Sequence, residues 1–306
     1  MNMKEKFKKF WEIINQHEYV TLCTHTNPDG DTIGSAVAFK EIIELNCENV
    51  KEVKISGGDC PRNLNFLFEN RLSLVDDEFF DKSLVVVVDT SVKKRIFDKR
   101  VITEESLKFD HHPCEEKWKF EIGGDYWPAT GQLLTEMVMA LNLKLNQKAL
   151  KGLAVAILTD TNNFTERNIS STTFSTMSYL LKQGLEYKEV ILQMQLNKEE
   201  KKLIFETIST AKTEGIITYV ISREIIPNDI ARPLVNSFLD ITDTEVSLCI
   251  LKNVEGKYRC SIRSRSYYDV NKIANYFGGG GHKNSSGFFI NSLDQLSEVV
   301  TKINSK

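Results

Sequence analysis

Ser83 and Leu84 lead into an unbroken valine run, Val85 to Val88, and the run ends on Asp89. A strand buried on both faces reads this way, and such strands belong to parallel sheets covered by helices. The flanking sequence agrees. Residues 19–23 form a second apolar strand candidate, and residues 107–109 form a shorter one just before Asp110. Phe7, Phe10, Trp11 and Ile14 recur at helical spacing, as do Ile33, Ala36, Val37, Ile42 and Ile43, with Asp31 positioned to cap the second of these helices. Residues 130–141 and 147–158 are further helix candidates. Strands and helices in alternation predict an open α/β sheet.

A single hydrophobic core stops growing near roughly 250–300 residues, so a chain of 306 residues is expected to form two domains. Residues 186–211 are polar and helix-favouring, with the charge cluster Lys198, Glu199, Glu200, Lys201 and Lys202. Beyond them, residues 215–222, 246–251 and 258–262 read as strands with helical patterns between and after them. The expected division is a first domain over 1–185, a helical linker over 186–212 and a smaller α/β domain over 213–306. The six cysteines contain no C-x-x-C pair, and a chain of this size needs no disulfide staples. They read as free thiols of a reducing cytoplasm. No signal-peptide pattern and no apolar run of membrane-spanning length is present, so a cytoplasmic protein with no membrane partner is expected. A net charge of -3 argues against long nucleic acid, duplex included, which calls for a strongly basic surface. A nucleotide partner would be short.

The chemistry-bearing residues lie at the ends of these elements. Asn27-Pro28-Asp29-Gly30 taken alone is a good β-turn, but a turn has no need of His25 just upstream. Asp89 closes the valine strand, Asp160 closes the apolar residues 154–158, and Asp110-His111-His112 follows residues 107–109. In open α/β sheets ligands gather beyond the carboxyl ends of the strands. Asp29, Asp31, Asp89 and Asp160 brought into one cleft would repel strongly, and two divalent cations carry the matching charge. Carboxylates with a few imidazoles suit a hard or borderline ion, manganese or magnesium, in a binuclear centre able to cut phosphate esters. A second cluster lies near the C-terminus. Gly278 to Gly281 precede His282 between ordered segments, where glycine permits close backbone approach to a phosphate or base. Arg263 and Arg265 offer planar donors for a phosphate or a stacking surface.

Taken in order, these segments make the chain resemble the DHH/DHHA1 phosphoesterases over nearly all of its length. The motifs are residues 25–35, residues 86–89, Asp110-His111-His112, Thr159-Asp160-Thr161, Arg263-Ser264-Arg265, Asp269-Val270-Asn271 and residues 278–282. The resemblance implies an N-terminal DHH domain with a mainly parallel sheet flanked by helices, plus a smaller C-terminal α/β DHHA1 domain. It assigns one metal to His25, Asp29 and Asp89 and the other to Asp31, Asp89, His111 and Asp160, with Asp89 bridging. Asp110 would orient an imidazole and His112 would face the scissile phosphate. Gly279, Gly280, Gly281 and His282, with Arg263 and Arg265, would hold the nucleotide.

The length and pair of domains are most similar to the stand-alone bacterial oligoribonuclease/pAp-phosphatase type. That type implies hydrolysis of short 5′-phosphorylated oligoribonucleotides to mononucleotides, and of 3′-phosphoadenosine 5′-phosphate (pAp) to AMP, with two divalent ions, Mn2+ before Mg2+. A phosphodiesterase acting on cyclic di-AMP or pApA is the runner-up. Manganese pyrophosphatases share the first-domain motifs, but the glycine-rich signature argues against them. A sensor that binds without cutting is disfavoured because every proposed ligand is present. The sequence leaves a homodimer open. Two departures stand out: Asp160-Thr161-Asn162-Asn163-Phe164 replaces the usual Asp-Thr-Gly, and Ser285 and Ser286 stand where small alanines are common.

Overall fold

The valine run is the central strand of a five-stranded, wholly parallel sheet. A computed structural model of the chain describes residues 2–58, 60–69, 71–165 and 168–305. They form two units that divide between Gln195 and Leu196. In chain order the first contains α1 (Met3–Asn15), β1 (Tyr19–Cys23), α2 (Gly30–Asn46), β2 (Glu52–Ser56), α3 (Asp77–Lys82), β3 (Leu84–Val88), β4 (Leu107–Asp110), β5 (Phe120–Gly123), α4 (Thr130–Leu141), α5 (Gln147–Asp160), α6 (Ser171–Lys182) and α7 (Tyr187–Gln193). The strand order is β2-β1-β3-β4-β5.

Alternation along each strand separates two cores. Val20, Leu22, Val86, Val88, Leu107, Phe109 and Ile122 pack with α1, α2, α4 and α5. Cys23 and Val87 face a smaller cluster built on Phe79, Phe80, Ile96 and Trp118. Helices α2 and α5 touch through glycines: a Cβ on Gly34 would lie 2.3 Å from the Gly152 carbonyl oxygen, and one on Gly152 would lie 2.6 Å from that of Gly34. Gly34→Ala is therefore expected to destabilise by about 2 kcal/mol through overpacking. Calorimetry should show Tm falling by roughly 4–8 °C, and an unchanged Tm would contradict this account of the crossing.

The cap of α2 differs from the sequence expectation. Asp29, not Asp31, is the N-cap, its Oδ1 accepting from the Asp31 and Thr32 amides at 3.1 and 3.3 Å. The Asp31 carboxylate instead accepts from the amides of Thr130 and Gly131 at 2.7 and 2.9 Å. Those amides open α4, whose own N-cap, Ala129, supplies no side-chain acceptor. Buried amides at a helix start need an acceptor, and the helix dipole favours an anion there. Asp31 thus caps a helix about 100 residues away in sequence.

The second unit contains α8 (Lys198–Ile208), β6 (Lys212–Glu214), β7 (Ile217–Ile225), α9 (Asn228–Ile241), β8 (Val246–Lys252), β9 (Tyr258–Ser264), α10 (Val270–Tyr276), β10 (Gly280–His282), β11 (Ser285–Ile290) and α11 (Leu296–Asn304). Its sheet runs β10-β11-β9-β8-β7-β6, with β7 and β8 parallel and the other neighbours antiparallel. Helices α10 and α11 cover one face and α8 and α9 the other. The polar segment 186–211 divides between the units: Val190 of α7 belongs to the first core and Ile204 of α8 to the second. None of the six cysteines forms a disulfide. Among the described residues no helix is long and apolar enough to cross a membrane.

Candidate metal centre

His25, Asp29, Asp31, Asp89, His111 and Asp160 come together at the carboxyl-terminal edge of the parallel sheet. Asp89 directly follows β3 with a φ of 63°, a left-handed conformation that aspartate tolerates better than most residues. Its amide donates to the Phe109 carbonyl (3.1 Å), and its Oδ1 accepts from the Thr130 hydroxyl at 2.8 Å. These contacts hold the carboxylate in an orientation whose backbone strain costs about 1 kcal/mol or more. Asp29 and Asp31 open α2, and Asp160 is the last residue of α5.

Both imidazoles are aimed by backbone carbonyls. His25 Nδ1 lies 2.9 Å from the Thr26 carbonyl oxygen, and His111 Nδ1 lies 3.1 Å from that of Trp127. A carbonyl only accepts, so Nδ1 carries the proton and Nε2 faces the carboxylates. His25 Nε2 stands 3.7 Å from Asp29 Oδ1 and 3.5 Å from Asp89 Oδ2. His111 Nε2 stands 3.6 Å from Asp31 Oδ2, 3.5 Å from Asp89 Oδ1 and 3.2 Å from Asp160 Oδ2. That nitrogen is buried and satisfies no hydrogen bond. Two donor groups result, His25/Asp29/Asp89 and Asp31/His111/Asp160, and in each the donor atoms lie within 4.8 Å of one another. A buried orphaned imidazole nitrogen aimed at three carboxylates fits a divalent cation.

The electrostatics agree. Burial disfavours the charged form of His25, but Asp29 and Asp89 outweigh it and raise the group to about 10. Burial opposes His111 likewise, and Asp160, Asp89 and Asp31 raise it to about 11. Burial also pushes Asp31 upward, reinforced by Asp89 and Asp160, and raises Asp89 despite the opposing pull of His25 and His111. Without cations the cluster balances its charge with protons. Ligation needs neutral imidazole, so cations must displace those protons and their affinity must climb as pH rises through the neutral range. Calorimetric manganese titrations in two buffers of different ionisation enthalpy should read at least one proton released per chain near neutrality. A buffer-independent heat would contradict the assignment.

Asp110 and His112 form a separate pair. Asp110 is fully buried, and its Oδ1 accepts from the His112 amide at 3.1 Å and lies 2.7 Å from His112 Nδ1. Asp89, His111 and His112 also stand close enough to hold an ion. His112 Nδ1, however, lies much closer to Asp110, at 2.7 Å, than its 3.8 Å from Asp89. Sequence reasoning missed three contributors. Thr130 and Gly131 serve Asp89 and Asp31, and their only local signal is their place at a helix start. Lys108, 1% exposed, sets its ammonium 3.9 Å from Asp110 Oδ2 and 3.3 Å from Glu121 Oε2. Its signal was a lysine inside an apolar strand.

The C-terminal candidates lie in the second unit. Arg263 Nη1 donates to the carbonyls of Ile262 (2.9 Å) and Ser286 (3.2 Å). Arg265 donates to the Thr242 carbonyl and stands 3.5 Å from Asp243. Gly280, Gly281 and His282 form an edge strand paired with β11, an element not expected from the sequence. The glycines suit that pairing: a Cβ on Gly279 would lie 2.1 Å from the Gly287 carbonyl oxygen, and Gly281 has a φ of 145°. After Asp160, Asn162, Asn163 and Phe164 take φ values of 46°, 55° and 66°. Asparagine, like glycine, tolerates this region, so this turn is built without the usual glycine.

A parallel α/β sheet with an acidic and imidazole cluster at its carboxyl edge, and a second unit bearing arginines and a glycine-rich edge, defines a class. Residues 19–159 match the DHH family, N-terminal domain, and residues 212–306 match the DHHA1 domain. The chain belongs to the DHH/DHHA1 family. It is similar to the bifunctional oligoribonuclease and PAP phosphatase NrnA of Mycoplasma genitalium, with 29% identity over 94% of this chain and 93% of that protein. It is 26% identical to the cyclic-di-AMP phosphodiesterase PdeA of Listeria monocytogenes, over 94% of this chain and 46% of that one. An exopolyphosphatase-related protein from Bacteroides fragilis has the same fold, with a TM-score of 0.84, 18% identity and coverage of 98% and 96% of the two chains.

Proposed function

We propose that this phosphoesterase hydrolyses short 5′-phosphorylated oligoribonucleotides to mononucleotides and pAp to AMP at a centre of two divalent cations, manganese by preference. The observation that carries the reading is His111 Nε2, buried, unsatisfied and surrounded by the carboxylates of Asp31, Asp89 and Asp160. His25, Asp29 and Asp89 would hold one cation, and Asp31, Asp89, His111 and Asp160 the other, with Asp89 shared. Bound there, such cations stabilise the charge that develops on the phosphoryl oxygens. The chain's own residues do the rest. The Thr26 and Trp127 carbonyls fix the imidazoles, so little reorganisation is needed on loading. Asp110 holds His112 Nδ1–H and leaves Nε2 to pass a proton to the departing oxygen. The name of the Mycoplasma genitalium relative supports the substrates.

Residues 1–185 would form the catalytic domain, 186–212 the connection and 213–306 the nucleotide-binding domain of a cytoplasmic enzyme. Arg263, Arg265, Gly279, Gly280, Gly281 and His282 would grip the nucleotide there. A second reading, hydrolysis of cyclic di-AMP or pApA, is favoured by the Listeria monocytogenes relative. Product analysis with purified protein and manganese over pAp, pApA, a longer 5′-phosphorylated RNA and cyclic di-AMP tests both. Mononucleotides from the short RNA and AMP from pAp are expected, and dominant cleavage of the cyclic dinucleotide would overturn the first reading in favour of the second.

A further inference from the structure

We propose that Phe289 and Arg259, an exposed cross-strand pair on the face of the C-terminal sheet turned away from α10 and α11, form a platform on which a nucleobase of the substrate stacks. The inference rests on the nucleotide chemistry proposed above and extends it to residues outside the glycine-rich motif. Along β9 and β11, Cys260, Ile262, Phe288 and Ile290 point into the core under α10 and α11. Their neighbours point the opposite way. On that opposite face Val220, Cys249 and Leu251 of β7 and β8 lie beneath α8 and α9, packed with Ile204, Leu234 and Phe238. The same face at β9 and β11 belongs to neither apolar cluster. It presents Phe289, 55% exposed, with the exposed Arg259 as its direct cross-strand partner.

Continuing along the ladder, Gly287 opposes Ser261 and Ser285 opposes Arg263, with no break in register. Gly287 has no fold-level requirement. Its φ is ordinary, and a Cβ there would meet only the Cys260 carbonyl oxygen at 3.4 Å, a normal contact. A strand glycine that packing does not demand marks a place where a ligand comes close to the backbone. It leaves no side chain of its own beside the Phe289 ring, opposite the buried Ser261 and between the Arg259 and Arg263 positions. Exposed aromatic rings stack bases of any sequence, and arginine planes add cation–π attraction and pair with phosphate. Arg259 and Arg263 are separated by about 13 Å along β9, so the ring and the far arginine would engage adjacent parts of one short oligonucleotide.

The test is direct binding of AMP and of ribose 5-phosphate to the full chain with manganese, by calorimetry, for the wild type, Phe289→Ala and Phe289→Trp. AMP affinity should fall about tenfold in the alanine variant, as expected for one lost base stack, and hold in the tryptophan variant. Ribose 5-phosphate should bind the wild type and the alanine variant equally. Unchanged AMP affinity in the alanine variant, an equal loss for ribose 5-phosphate, or no AMP binding to the wild type would each overturn the platform. These affinities are read without turnover. Failure of the wild type to hydrolyse RNA and pAp would therefore refute the proposed function separately, and unchanged affinity in an active enzyme would refute the platform alone.

Discussion

Asp89→Asn is expected to leave a folded protein that has lost nearly all turnover. Among the described residues Asp89 is the one carboxylate placed against both imidazoles, 3.5 Å from His25 Nε2 through Oδ2 and 3.5 Å from His111 Nε2 through Oδ1. Asparagine keeps the size and one carbonyl-type oxygen but removes the charge and the second acceptor, so it cannot join two cations. A metal ion contributes several kcal/mol to phosphoryl-transfer catalysis, and at 1.36 kcal/mol per decade kcat should fall by about 10³ or more. Metal content should fall with it. In the cation-free state removing the charge of the buried Asp89 loses its attraction to protonated His25 and His111 and relieves its repulsion from Asp29 and Asp160; the two effects oppose each other, and a stability near that of the wild type is expected. Steady-state kinetics with elemental analysis checks this, and an unchanged rate would remove the bridging role.

His112→Ala is expected to separate chemistry from metal binding. The His112 ring is tied by Nδ1 to Asp110, and its side chain is 35% exposed, unlike the deeply buried His25. Loss of a positioned general acid lowers kcat by about 10²–10⁴, while both donor groups built on His25 and His111 stay intact. The variant should hold the same number of manganese ions as the wild type. Loss of metal in step with loss of rate would instead make His112 a ligand, as its 3.8 Å approach to Asp89 allows.

Some of this was legible in the sequence because it is local. The valine run marked a strand buried on both faces of a parallel sheet, and residues 130–141, read as a helix, match α4, Thr130–Leu141. Metal-type side chains at the ends of predicted elements pointed to one edge of the sheet, where the structure brings all six together. What escaped was non-local. Asp31 looked like the cap of its own helix because an aspartate before an apolar periodicity has that meaning, yet it accepts from the first amides of α4 instead. The strand formed by residues 280–282 depends on pairing with β11, which no periodicity in four glycines can reveal. Lys108 would be unfavourable in an apolar strand without Asp110 and Glu121 nearby; Asp110 lies two residues along the same strand, but the proximity of Glu121 follows only from β4 and β5 being neighbours. The exposed pair Phe289 and Arg259 likewise required knowing that β9 and β11 are neighbours.

The most direct test of the central claim is diffraction at the manganese absorption edge from crystals of the chain grown with manganese. Two anomalous peaks are predicted, one among His25, Asp29 and Asp89 and the other among Asp31, Asp89, His111 and Asp160. No peak within reach of those side chains, from a protein that still cleaves short 5′-phosphorylated RNA, would contradict the account.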